Sequence, residues 1–483
     1  MKKGLFLKIA LAFASVTLAL SVFGGCGKAD QKIQIWAGTY WGGDNQPVLD
    51  EMVGKWNEYA RANGKKEAVV TVLQDVRGSM TTGSISGRIG DIVLWDRWES
   101  LRLAYQQVLM PLDDKLAAAG YSPDDFNPSA MAETNFEGKH YGIPFDLDTW
   151  GLFVNRNYYL DWAKTADAQT ANAWLVNPGK TEESVGGADS KYKYPETWTQ
   201  FYAAARGCTV KDSSGNITRA GLSTDIEFVS WLSTAGGRIA DLDAKKSMLY
   251  SNDTKLPGLD KTYRAAAEEV MDLWDKFLEQ STDTPEQKGE AVTAFSFFSN
   301  TGTVDYFLTG KVAFKVNSIL NGMTTYQKYK EDGFEFDYIP FPSQDDADMR
   351  GGMLGGYGMS IPASAPSTDA AWELIQWWVL DDENYMGWCR ISKLIPSRMS
   401  MVEKVRQDEG IMSAAPYLKL PIDNIAHYRS RPPLMAYSQY ETSVQSPALD
   451  VYFRRTTPGP DSAAFHKQEF FRKIEESSDL SRL

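Results

Sequence analysis

Ile33-Gln34-Ile35-Trp36-Ala37-Gly38-Thr39-Tyr40-Trp41-Gly42-Gly43 is the stretch on which the fold turns. Ile33–Trp36 alternates like a first β-strand and opens into a glycine-rich, aromatic loop, which leaves backbone free to approach a ligand. Downstream, Val48, Leu49, Met52, Val53, Trp56 and Tyr59 recur at helical spacing across 47–62. Residues 68–73 then read as a second strand, so the opening is β-α-β. A further apolar run, Ile92-Val93-Leu94-Trp95, precedes Asp96, Trp98 and a helix over 101–108. Strands alternating with helices predict an α/β fold whose parallel sheet is covered on both faces.

The rest of the chain extends this pattern. Thr197, with Gln200 three residues later, has the form of a capping box and predicts a helix through Ala205. Helices are expected over 263–278 and 370–380, the latter with Ala371, Trp372, Leu374, Ile375, Trp378 and Val379 as a wide apolar stripe. Residues 165–194 are polar and read as a surface insertion. The glycine-containing segments 78–90 and 351–358 lack phosphate-loop spacing, and 78–90 shows no evident strand-turn-helix.

Composition narrows the function. With 483 residues, 43% hydrophobic and 23% charged, the chain suits two domains or three. A net charge of −13 and the lack of a Lys/Arg cluster exclude a nucleic-acid partner and disfavour anionic ligands, a local basic pocket excepted. The three histidines, His140, His427 and His466, are far apart, so neither a metal site nor a cofactor is expected. The run Asp345-Asp346-Ala347-Asp348 lacks the glycine and glutamate of a calcium loop and reads as a solvated turn.

The N-terminus reads as a signal peptide over 1–25: Lys2, Lys3 and Lys8 precede the apolar run 9–23, which ends in Gly24-Gly25-Cys26. That run falls short of the roughly 20 residues needed to span a bilayer. The small residues before Cys26 resemble a bacterial lipobox, although Phe23 stands where Leu is usual, and imply a lipidated tether over 26–31. Cys208 and Cys389 could form one disulfide in an oxidising compartment, or remain two buried thiols.

A series of ordered segments carries a family resemblance. They are Ile33–Trp36, Gly90-Asp91-Ile92-Val93, Met110-Pro111-Leu112-Asp113-Asp114, Gly138-Lys139-His140-Tyr141-Gly142-Ile143-Pro144-Phe145-Asp146, Phe153-Val154-Asn155-Arg156, Pro195-Glu196-Thr197-Trp198, Gly236-Gly237, Gly310-Lys311-Val312-Ala313-Phe314, Gly356-Tyr357-Gly358-Met359-Ser360-Ile361-Pro362 and Ile395-Pro396-Ser397-Arg398. In this order they resemble the extracellular solute-binding proteins of ABC sugar importers, the family that includes maltose-binding protein. The resemblance implies a two-lobed periplasmic-binding-protein-like fold with hinge strands and an interlobe cleft. It implies an N-terminal lobe of 32–145 plus 316–380 and a C-terminal lobe of 146–315 plus 381–483. Hinge crossings are expected near Pro144–Thr149, near Phe314–Ser318 and shortly after Trp378. The implied function is capture of a mono- or oligosaccharide by a monomer anchored outside the cytoplasm, which delivers it to the importer's permease subunits. A lipid-anchored glycoside hydrolase or lyase, or a sensory ligand-binding subunit, is the alternative.

A sugar pocket needs flat rings for C–H faces and fixed polar groups for hydroxyls, and the chain has 15 Trp and 23 Tyr to draw on. Trp41 in its loop is a candidate stacking ring, with loop packing as the alternative. Trp36 is balanced between ligand and strand-end packing, and Asp44 between hydroxyl acceptor and solvated turn. Trp95 and Asp96 close a strand, where open α/β sheets bind ligands. Asp146 and Asp148 share one face of an extended segment. That arrangement suits hydroxyl recognition better than glycosidase chemistry, which needs carboxylates on opposite sides of a bond. By resemblance, Trp231 reaches the cleft from the second lobe, with a helix-core role as its rival. Asn317 and Ser318 replace the family's frequent Gly-Ser-Trp, removing one common ring. Tyr357, among glycines, stands where the family often places an aromatic, and Arg398 is either a hydroxyl donor or half of an ion pair.

Overall fold

The computed structural model describes residues 32–223, 227–278, 305–321, 333–345, 349–454 and 463–481. The segment 1–31, with the expected signal peptide, Cys26 and the expected tether, lies outside them, as does the side chain of Asp44. Two sheets organise the chain. Their strands are β1 (Ile33–Ala37), β2 (Ala68–Val72), β3 (Ile92–Asp96), β4 (Ile143–Pro144), β5 (Asp146–Asn155), β6 (Val210–Lys211), β7 (Ile217–Leu222), β8 (Val312–Ser318), β9 (Phe336–Pro340), β10 (Leu354–Gly355), β11 (Tyr357–Ser360) and β12 (Ile395–Pro396). The first sheet runs β2-β1-β3-β11-β4 and the second β6-β7-β8-β5-β9, with β10 and β12 also on β5.

The predicted β-α-β opening is present: β1 lies parallel to β2 and β3, and the connecting helix Gln46–Asn63 buries Leu49, Met52, Val53 and Trp56. Alternation along β1 sends Ile33, Ile35 and Ala37 into one core and Trp36 toward a smaller one around Val76, Met80, Ile89 and Val93. Covering both faces in this way is what a largely parallel sheet requires. Segment 78–90, expected to lack strand-turn-helix form, contains most of the helix Val76–Ser86. The Asp75 carboxylate caps it by accepting the Gly78 amide at 2.8 Å. That cap offsets the weak helix propensity of its glycines, and a Cβ on Gly83 would lie 3.1 Å from the Trp36 ring.

β5 joins the two halves. At its start Asp146 and Leu147 pair with β12, and Asp148 and Thr149 pair with β10; from Trp150 onward it pairs with β8 and β9. Side-chain parity in this second sheet splits two cores. Leu152, Val154, Phe314 and Val316 face the second cluster, whereas Phe153, Phe336 and Tyr338 join the first. Of the stretch 381–483, expected in the second lobe, the buried apolar residues from Tyr385 to Tyr428 belong to the first cluster and those from Tyr437 to Leu480 to the second, while Leu420 packs against the second. The apolar rows after residue 380 are equally suited to either partner, so sequence patterning alone gave no boundary.

Other expectations resolve locally. The Thr197 hydroxyl accepts the Gln200 amide at 3.4 Å, while the Gln200 side chain reaches back to the Glu196 amide at 2.8 Å, a capping box displaced by one residue. The 165–194 stretch is more than surface, since Ala168, Leu175 and Tyr192 are buried in the second cluster. Cys208 and Cys389 are free thiols buried in different clusters. No described helix is long and apolar enough to cross a membrane.

Trp231 is fully buried, packed edge-on against Phe341 at 4.8 Å and beside Phe201, Phe277 and Trp274. Removing a ring of that size leaves a cavity, so Trp231→Ala should lower unfolding stability by about 3–5 kcal/mol, read from urea denaturation.

Candidate functional site

The carboxyl ends of β1, β2 and β3 open onto a hollow of about 250 Å3 lined by Thr39, Leu73, Asp75, Arg77 and Trp95. β11 runs antiparallel to β3 and brings Tyr357 opposite Asp96. β5 starts beside them with Asp146 and Asp148, and β8 ends there with Ser318, which pairs with Trp150. Tyr40 bridges toward the second sheet: its ring stacks on Tyr357 at 5.6 Å, and its hydroxyl donates to the Leu320 carbonyl at 3.1 Å. The structure therefore gathers Trp95, Asp96, Asp146, Asp148, Ser318 and Tyr357 at the junction of the two sheets.

Beneath this group lies Arg97, with no exposed surface. Its Nε donates to Glu133 at 3.1 Å, and Nη1 donates to the carbonyls of Asp146 at 2.5 Å and Tyr357 at 3.3 Å. Nη2 donates to the carbonyl of Gly355. One guanidinium thus fixes β3, β5 and the β10–β11 turn against one another. Gly356 in that turn has φ +130°, and a Cβ there would stand 2.3 Å from Arg97 Nη1 and 2.5 Å from Asp146 Oδ1. Only glycine suits both the backbone angle and the space.

The electrostatics are those of carboxylates withdrawn from water. Burial pushes Asp146 up to about 7 against the pull of Arg97, even though its Oδ1 accepts the Tyr357 amide at 2.8 Å. Burial and the Asp146 charge together hold Asp148 well above the usual carboxylate range, with Ser318 and the Leu320 amide opposing them. Burial likewise raises Asp96 to about 6, and Glu133 and Glu227 to about 7, with Arg431 opposing the shift at all three. Asp146 Oδ2 and Asp148 Oδ1 are buried without a hydrogen-bond partner. Unused oxygens of this kind can take hydroxyl donors. Among the described residues no three His, Cys, Asp or Glu side chains converge so as to hold a metal ion.

Several expected contacts lie elsewhere. Trp41 is buried among Tyr40, Tyr357, Phe145 and Trp388, with ring separations of 5.2 to 6.1 Å, so its loop is folded inward and the ring supports the site from behind. Trp36 packs over Gly90, where a Cβ would come within 2.8 Å of the ring. Trp231 belongs to the second core. Arg398 pairs with Asp382 at 2.7 Å and donates to the Leu380 carbonyl at 2.8 Å, so its guanidinium is engaged at a helix end. Asn317 alternates away from Ser318 along β8, and its Oδ1 accepts the Ser318 amide at 2.8 Å. Sequence reasoning missed Arg97, Glu133, Glu227 and Arg431. Arg97 directly follows the candidate pair Trp95-Asp96 and was open to discovery, but no local signal marks the others.

A family model described as bacterial extracellular solute-binding protein matches residues 65–414. A search of curated sequences returns no match. Among solved structures, the GacH receptor of Streptomyces glaucescens is 16% identical with a TM-score of 0.64, covering 92% of this chain and 99% of that one. The sugar-binding protein MalE of Xanthomonas citri is 15% identical with a TM-score of 0.63, covering 92% and 97%. UgpB of Mycobacterium tuberculosis, solved with glycerophosphocholine, is 16% identical with a TM-score of 0.62, covering 92% and 98%. These likenesses share the α/β fold described above, and the family match extends across both sheets. The chain belongs to the bacterial extracellular solute-binding protein family.

Proposed function

We propose that this chain captures a carbohydrate between its two sheets and delivers it to the permease of an ABC importer, without chemical turnover. The observation that carries this reading is the pair of buried, unpartnered carboxyl oxygens on Asp146 and Asp148 beside the stacked Tyr40 and Tyr357, with the Trp95 ring lining the hollow at the end of β3. Hydroxyl donors satisfy such acceptors, and ring faces cover sugar C–H surfaces. Neighbouring folds include receptors solved with acarbose and with mannotriose, which adds support. A glycosidase reading is disfavoured because Asp146 and Asp148 stand two residues apart on one strand, whereas glycosidase carboxylates flank the scissile bond. Lipid attachment at Cys26, monomeric state and extracytoplasmic anchoring complete the proposal, and mass spectrometry of the mature N-terminus tests the first.

A melting screen against mono- and oligosaccharides should return at least one stabilising sugar. Stabilisation by polyamines or metals alone would refute the carbohydrate reading. With that sugar, Asp148→Asn and Trp95→Ala should each weaken binding about five- to tenfold by calorimetry, the scale of a lost hydrogen bond or a lost stacking surface.

The raised carboxylates also set a pH dependence. Asp96, Glu133, Asp146 and Glu227 bind protons in the folded chain up to about pH 6 to 7, whereas unfolded carboxylates release them near 4. Their contribution to stability is full below about pH 4 and is lost as pH rises through 6 to 7. The ligand-free melting temperature should therefore rise as pH falls from 8 to 5.5. Near pH 4 and below, ion-paired Asp382 and Asp408, held under the usual range, should reverse the trend. A flat profile between 5.5 and 8 would contradict the burial of this cluster.

A further inference from the structure

A second cavity, of about 370 Å3, opens between the helix Pro128–Ala132 of the first core and the helix Phe228–Thr234 of the second. Its apolar wall includes Ala132, Val229 and Leu232, and three arginines, Arg238, Arg429 and Arg431, line the remainder. This is a concentration of positive charge in a chain with a net charge of −13.

The three arginines are not equivalent. Arg431 is committed: it pairs with Glu441 at 3.3 Å, and its guanidinium lies 5.1 Å from the centre of the Trp98 ring. Arg429 donates to the carbonyls of Ala426 at 2.6 Å and Tyr428 at 3.1 Å, and Arg238 is exposed. Among the described residues neither Arg238 nor Arg429 forms an ion pair. Burial lowers the Arg429 guanidinium, and the Arg238 charge lowers it further, so two uncompensated cations share one partly dry cavity. A bound anion relieves that repulsion, and guanidinium forks suit carboxylate, sulfate and phosphate oxygens.

Arg431 ties this cavity to the carboxylate cluster: its charge acts on Glu227, on Asp96, which pairs with Tyr357, and on Glu133, which accepts from Arg97. We propose that Arg238 and Arg429 hold an anionic group of the captured solute, so that the ligand is an acidic saccharide. The proposal rests on the carbohydrate reading for the sugar and on the arginine pair for the charge.

Calorimetry on the purified full chain separates these two parts. The titrants are trigalacturonate against galactotriose, glucose 6-phosphate and glucose 6-sulfate against glucose, and inorganic phosphate and sulfate alone. The acidic member of at least one pair should bind about tenfold tighter than its neutral counterpart, the scale of one charge-assisted contact. That preference should shrink as salt rises. Arg238→Gln and Arg429→Gln should each remove most of the preference while leaving affinity for the neutral sugar unchanged. Arg238 is exposed, so its variant keeps the test valid if Arg429→Gln fails to fold. Sugars that bind without preference for the acidic member would overturn this inference and leave the carbohydrate reading intact. Inorganic anions that bind and are lost in Arg238→Gln, with no saccharide binding, would sustain the anion site and remove the sugar. Acidic ligands and anions indifferent to both variants would overturn it outright.

Discussion

A single desolvated guanidinium, that of Arg97, sets the relation between the two halves of this protein. Burying a charge is costly unless its donors are satisfied, and here they are met by Glu133 and by the carbonyls of Asp146, Gly355 and Tyr357. Those partners come from separate stretches of the chain that meet only in the folded state. β5 must therefore enter beside β3, and the β10–β11 turn must close over both. The left-handed Gly356 and the stacked pair Tyr40–Tyr357 follow from that geometry.

The same hub creates the site's chemistry. By fixing the start of β5, it holds Asp146 and Asp148 out of water, where their carboxyl oxygens lack the hydration they would otherwise have. In the proposed carbohydrate complex, ligand hydroxyls meet these unsatisfied oxygens and no strong water contact is forfeited, a favourable balance for a polar ligand. Charge is partitioned around this centre. Carboxylates gather at the carboxyl ends of the first sheet, and arginines line the second cavity. The chain's net charge of −13 conceals that division.

Much of the fold was legible because strand and helix periods are local. The β1-helix-β2 opening, the strand ending at Asp96, the helix Tyr263–Phe277 and the cap at Thr197 all rest on spacing within a few residues. The helix Val76–Ser86 was not legible, since its glycines conceal a segment stabilised by the Asp75 cap and by packing against Trp36. Which cluster receives the apolar residues of 381–428 was not legible either, because amphipathic helices declare which face is buried but not which core receives it.

Of the candidate site, carboxylates and rings at strand ends were recoverable: Trp95, Asp96, Asp146, Asp148, Ser318 and Tyr357 do converge. The tryptophans divided by burial, a property no residue carries by itself. Trp41 and Trp231 lie in the cores, while Trp95 remains half-buried at the hollow. Arg238, Arg429 and Glu133 had no sequence signal, since their roles depend on segments brought together across hundreds of residues. The sequence by itself determined the α/β pattern, the ordered family segments and the supply of sugar-binding residue types, all of which follow from local periodicity and side-chain chemistry. Only the tertiary structure decided which rings are buried in the cores, which carboxylates lose their water and where positive charge collects, because burial and proximity are properties of the packed chain.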